Sequence, residues 1–111
     1  MDTQELKQAI ERIEQATDEA KAALQAGNVP PELRQQVESF HQQASQAKKS
    51  GASDENSLRQ TILQLEQLGD QAKAACQKAG SNVSPQLQQA VQRAHDEASR
   101  VKKQIQAGSP A

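Results

Sequence analysis

Aromatic side chains are almost absent from the chain: there is no Trp, no Tyr and one Phe, Phe40, in 111 residues. That excludes the stacked aromatic platforms with which proteins hold bases and sugars. Cysteine occurs once, at Cys76, so no internal disulfide can form and nothing points to an oxidising compartment. No run approaches the roughly 18 apolar residues needed to span a bilayer. Charge of one sign is not in excess either. Thirteen basic and 14 acidic residues leave a net charge of −1, too little to draw the protein to nucleic acid or to an anionic membrane. The opening MDTQELKQAI lacks the basic and apolar regions of a secretory signal. A soluble cytoplasmic protein with neither nucleic acid nor membrane as partner is the default expectation.

Large apolar residues are also scarce. Leu, Ile, Val and Phe number 18, and alanine supplies nearly half of the apolar third. So few would suit a disordered chain, but such chains combine low hydrophobicity with high net charge. Here the net charge is near zero and the apolar residues are periodic, which favours a helical fold of modest stability.

What is present in excess is repetition. Leu6 to Gln25 reads LKQAIERIEQATDEAKAALQ, and Leu58 to Gln77 reads LRQTILQLEQLGDQAKAACQ. Each is followed by a glycine turn, AGNVPPEL and AGSNVSPQL, and then by a segment with one histidine and a Lys-Lys pair: His41 with Lys48 and Lys49, His95 with Lys102 and Lys103. An internal repeat marks a unit that buries its apolar face against its copy.

Leu6, Ile10, Ile13, Thr17, Ala20 and Leu24 follow a 4-3-4-3-4 spacing, the seam of one helix face. Leu58, Ile62, Leu65, Gly69, Ala72 and Cys76 repeat it. Leu33, Val37, Phe40, Ala44 and Ala47 form the next seam, and Leu87, Val91, Ala94, Ala98, Val101 and Ile105 its counterpart. No stretch alternates with period two. Asp2 or Thr3, Ser53 or Asp54, and Ser84 are placed to cap helices, with Pro31 and Pro85 at first helical positions. Gly27 and Gly80 suit the residue that ends a helix, and Gly51 and Gly108 with Pro110 close the others. The predicted helices span 3–26, 31–50, 54–79 and 85–107.

Short turns force antiparallel neighbours. The predicted fold is all-α: an up-down-up-down antiparallel four-helix bundle, one domain over 1–111, built from hairpin repeats 3–50 and 54–107. Folding each hairpin places Thr17 near Phe40 and Gly69 opposite Ala94. The lysine pairs fall in last turns, beside Asp2, Glu5, Asp54 and Glu55 at neighbouring helix starts, where both charges complement helix dipoles.

No candidate chemistry is completed. His41 and His95 lie one residue past an inward position, at the seam's edge, as a phosphorylated histidine would in a histidine phosphotransfer domain. That family has lysine and glycine three and four residues on; here stand Ala44 and Ser45, and Ala98 and Ser99. Glu38-Ser-Phe-His41 has the Glu-x-x-His spacing of di-iron bundles, but the second copy, Gln92-Arg-Ala-His95, lacks the carboxylate; Glu38 lies on the outer face, and Glu14 and Glu66, equivalent to each other, fall at the seam's edge. Cys76 reads as a small buried hydrophobe, although Lys73 and Lys78 nearby would favour a thiolate. Twenty glutamines spread over four helices give an uncharged hydrated surface suited to protein contacts. Leu63 and Leu68 lie off the main seam, where the first repeat has Glu11 and Ala16, and are the first candidates for a partner surface.

The repeated LxQAI…EQ…D.AKAA…Q…AG…NV.P.L pattern resembles small uncharacterised all-α proteins of betaproteobacteria, the Burkholderia group especially. The resemblance implies a soluble four-helix protein without assigned activity or established site residues, one type of which host antibodies recognise as an antigen. The resulting expectation is a non-enzymatic bundle, monomer or weak homodimer, without catalytic residues, cofactor or bound metal, acting through contacts with a protein partner not named by its sequence. The other reading is a phosphotransfer or metal-binding bundle using His41 and His95.

Overall fold

In the computed structural model, residues 2–25, 29–50, 54–80 and 83–107 are described, and four helices account for nearly all of them. Helix α1 spans Thr3–Leu24, α2 Pro31–Lys49, α3 Glu55–Ala79 and α4 Pro85–Ala107. Each predicted boundary lies within two residues of these. Gly27, Gly51, Ser53, Gly108 and Pro110, expected to punctuate the helices, lie outside the described residues.

The helix starts have identifiable chemistry. The Asp2 carboxylate accepts from the Glu5 amide at 2.8 Å, and the Asp2 amide donates back to the Glu5 carboxylate at 3.2 Å, a reciprocal box over α1. Asp54 accepts from the Ser57 amide at 3.0 Å at the start of α3. The Ser84 hydroxyl accepts from the Leu87 amide at 3.2 Å at the start of α4. Helix α2 uses the other device, Pro31 at its first position with no side-chain cap. Each side-chain cap stabilises by about 1 kcal/mol. At the far end of α3, Gly80 takes φ +60° and ψ −121°. Its φ is positive, as expected of a terminating glycine, but its ψ is not that of the left-handed helical region.

The helices pack α1 to α2, α2 to α3, α3 to α4 and α4 back to α1, with a slighter diagonal contact between α1 and α3. This closed ring is an antiparallel up-down-up-down four-helix bundle made of two hairpins. All the residues of the four seams are buried except Ala47, which is half-buried. Ala9, Ala16, Ala75, Ala90 and Val83 join them, so the buried face is wider than the seams alone, and the alanines let neighbouring backbones approach. One continuous apolar cluster runs through both hairpins. Thr17 is the one buried polar residue among those described, and its hydroxyl donates to the Glu14 carbonyl of its own helix at 2.7 Å.

Leu68 is half-buried and packs on the core, and Leu63 is half-buried. Among the described residues no large hydrophobic side chain is fully exposed. No described helix is long and apolar enough to cross a membrane.

Candidate functional site

Glu14 and Asp18 are four residues apart on α1, which sets them one above the other on the same face. Helix α2 runs back along that face and brings His41 against both. Nε2 of His41 lies 3.2 Å from Asp18 Oδ1 and 3.7 Å from Glu14 Oε2. Lys48, two turns further along α2, approaches the other oxygen of the same glutamate, with Nζ 3.5 Å from Glu14 Oε1. The second hairpin builds the same group. Nε2 of His95 on α4 is 3.5 Å from Asp70 Oδ1 and 3.7 Å from Glu66 Oε2 on α3, and Lys102 Nζ is 3.1 Å from Glu66 Oε1.

Burial grades across each cluster in the same order. The glutamates and histidines are mostly covered, with side-chain exposures of 12–16%, while Asp18 and Asp70 are 69% and 73% exposed. In each cluster the glutamate and histidine are thus mostly covered between two helices, while the aspartate faces solvent. The copies differ at the second imidazole nitrogen. Asp96 follows His95, and its Oδ1 is 3.7 Å from Nδ1, beyond hydrogen-bond reach. Asp96 instead accepts from Gln92 at 2.8 Å, leaving His95 Nδ1 buried without a hydrogen-bond partner. Gln42 stands at the matching place in the first hairpin.

Comparison of the two hairpins shows which charges persist. The first 52 residues contain eight acidic residues: Asp2, Glu5, Glu11, Glu14, Asp18, Glu19, Glu32 and Glu38. Their counterparts in the second hairpin are Asp54, Ser57, Leu63, Glu66, Asp70, Gln71, Gln86 and Gln92. Only three remain acidic. Asp2 and Asp54 are helix caps, and the other two pairs are the cluster carboxylates. The facing histidines are identical, as are Lys48 and Lys102.

The sequence sets the lysine pairs beside the acidic residues at neighbouring helix starts, but Lys48 and Lys102 reach Glu14 and Glu66, midway along α1 and α3. Asp2 is engaged with its own helix, and Glu55 pairs with Arg59 at 2.8 Å. His41 and His95 do sit at the seam's edge, but each is held against two carboxylates. Glu38, the partner suggested by Glu-x-x-His spacing, is exposed. Asp18 and Asp70 were not recognised. Their persistence among exchanged acidic residues was the available signal.

Other polar contacts have different partners. Between α1 and α4, Arg12 Nε donates to Glu97 at 2.7 Å and Arg93 donates to Glu19 at 2.7 Å, while Arg100, on α4 itself, donates to the same Glu97 oxygen at 2.6 Å. These have no counterpart between α2 and α3 among the described residues. Cys76 is buried beside a cleft of about 410 Å³ bordered by Lys73, Gln77, Gln88, Val91 and Gln92. Burial pushes its thiol up rather than down, so the nearby lysines do not create a thiolate.

Chemically, each cluster presents one imidazole nitrogen and two carboxylates to a common point. A phosphoryl group on Nε2 would be set against both carboxylates, which opposes phosphotransfer. A cation at that point would find three donors. No family model, curated protein or solved structure matches the chain.

Proposed function

We propose that the protein is a non-enzymatic helical bundle, arisen by duplication of a hairpin, that works by binding at its surface, with the two His-Glu-Asp-Lys clusters as its binding sites. The observation that carries this reading is the persistence of the clusters while the other acidic positions, caps excepted, were exchanged. Bundles that carry cofactors build their sites from inward polar side chains. Here the described interior is filled by Leu, Ile, Val, Phe, Ala and Cys76, and Thr17 is bonded within its own helix. The partner is a protein that meets the glutamine-rich helical surface beside the clusters. Host antibodies would meet the same surface if the resemblance to the betaproteobacterial antigens holds.

The test is affinity capture from the native cell with mass-spectrometric readout, using three forms of the full chain. These are the wild type, a variant with Glu14→Gln, Asp18→Asn, Glu66→Gln and Asp70→Asn, and a control with Glu11→Gln and Glu38→Gln. Glu11 and Glu38 are exposed carboxylates replaced in the other hairpin. A partner held by the wild type and control but lost by the cluster variant is the expected result. Equal capture by all three would place the working surface elsewhere.

A further inference from the structure

We propose that each cluster is a site for a divalent transition-metal ion of the zinc type, with Glu14, Asp18 and His41 as donors in one hairpin and Glu66, Asp70 and His95 in the other. This rests on the reading of the clusters as the working sites and names their ligand. The geometry suits the ion. Zinc takes imidazole nitrogen and carboxylate oxygen at about 2.0–2.2 Å in a tetrahedron, which places its ligand atoms about 3.3–3.6 Å from one another. The Nε2-to-carboxylate separations are 3.2 and 3.7 Å in the first cluster and 3.5 and 3.7 Å in the second. All three donor atoms of each set lie within 4.8 Å of one another, so small side-chain rotations close them around an ion.

The donor types narrow the choice. Calcium and magnesium take oxygen shells, whereas a mostly covered imidazole facing the carboxylates suits zinc, nickel or cobalt. Three protein donors leave a fourth position, and the exposed aspartate puts it on the solvent side, as in open zinc sites. Lys48 and Lys102 bind the glutamate oxygens turned away from the histidines. They orient the ligating oxygens from outside, the part that outer partners play in metal sites. With a neutral imidazole each cluster carries two negative charges and one positive, so a dication is drawn in rather than repelled. The other acidic groups paired across helices, Glu19 and Glu97, face guanidiniums with no imidazole beside them.

Each site joins the two helices of one hairpin, so the ions should bind independently and raise the melting temperature. The test titrates the full chain with zinc chloride near neutral pH, by calorimetry and by NMR of the imidazole nitrogens, with magnesium chloride as the control. The expected result is two ions per chain, with Nε2 of both histidines shifting and no response to magnesium. Asp18 and Asp70 are largely exposed, so Asp18→Asn and Asp70→Asn leave the fold intact by circular dichroism. Asp18→Asn should remove the His41 response and leave that of His95, Asp70→Asn should do the reverse, and the double variant should bind no zinc saturably. Absence of saturable zinc binding, or binding unchanged in the double variant, overturns the inference. Loss of partner capture in the cluster variant would then still uphold the clusters as binding sites, while zinc binding with capture unchanged would uphold the metal and remove the docking role.

Discussion

The ring of Phe40 fills the space that a side chain on Gly69 would need. A β-carbon on Gly69 would lie 3.2 Å from Cζ and 3.3 Å from Cε2 of Phe40, and 3.2 Å from Cα of His95. The chain's one aromatic residue thus crosses from α2 to α3, where the missing side chain also lets the α4 backbone close in. Phe40 and Gly69 stand in different hairpins, so this contact fits the hairpins to each other.

Gly69→Ala tests the fit. Alanine in a helix interior gains about 1 kcal/mol over glycine, but the new methyl presses on a buried ring and on backbone, and overpacking costs about 1–3 kcal/mol. A net loss of about 1 kcal/mol in urea denaturation is expected, smaller when Phe40→Leu is also present. A gain in stability from Gly69→Ala alone would mean that the close approach is not there.

Phe40→Ala removes the same contact from the other side. Phe40 is 2% exposed, and truncating a buried Phe costs about 3 kcal/mol or more. In a bundle with about 5 kcal/mol in total, the thermal transition should fall and broaden. A loss below about 0.5 kcal/mol, typical of surface sites, would contradict its burial.

Glu97 supplies a pH dependence. Partial burial acts to raise its carboxyl, but hydrogen bonds and charge from Arg12 and Arg100 outweigh that and hold it below the ordinary value of 4.5. A carboxyl lowered on folding contributes stability in full above its unfolded value, and loses it as pH falls through the lowered folded value. Glu97→Gln should therefore lower the melting temperature at neutral pH, modestly because both arginines are about half exposed. The difference from wild type should close on acidification below 4.5. A difference that stays constant into acid would remove the ion pair as its cause.

The shared core makes the hairpins dependent on each other. Residues 1–52 alone would leave Leu6, Ile10 and Ile13 half covered, with too little burial to offset the ordering entropy of two helices. The fragment should be largely unfolded when dilute, or pair with a second copy. Adding residues 53–111 should raise helicity above the sum of the parts in circular dichroism. A monomeric fragment with a cooperative melt, by analytical ultracentrifugation and circular dichroism together, would show an independent unit.

The fold was legible because its signals are local. The 4-3 spacing from Leu6 to Leu24 sets a buried face, and Asp2, Asp54, Ser84 and the two prolines mark helix starts whatever the helices pack against. The Phe40–Gly69 fit was not legible, since it depends on how α2 meets α3 across the hairpins. The sequence had paired Phe40 with Thr17 and Gly69 with Ala94. The clusters were legible in part. His41 and His95 stood out as repeated edge residues, but their partners lie on another helix, and only the antiparallel register brings Asp18 and Asp70 to them. The partners of Lys48 and Lys102 were not legible, because a last-turn position already explained these lysines through the helix dipole.

Chemical denaturation of the variant carrying Glu14→Gln, Asp18→Asn, Glu66→Gln and Asp70→Asn most directly asks whether the clusters serve binding or hold the fold. Pairs this close to solvent contribute roughly 0.2–1 kcal/mol each. Taking at most about 1 kcal/mol per carboxylate removed, the expected change for all four substitutions, without added metal, is below about 4 kcal/mol, with the native circular dichroism spectrum retained. A loss of about 4 kcal/mol or more, the scale of breaking buried ion pairs, would show that the clusters persist as structural clasps and would contradict their assignment as binding sites.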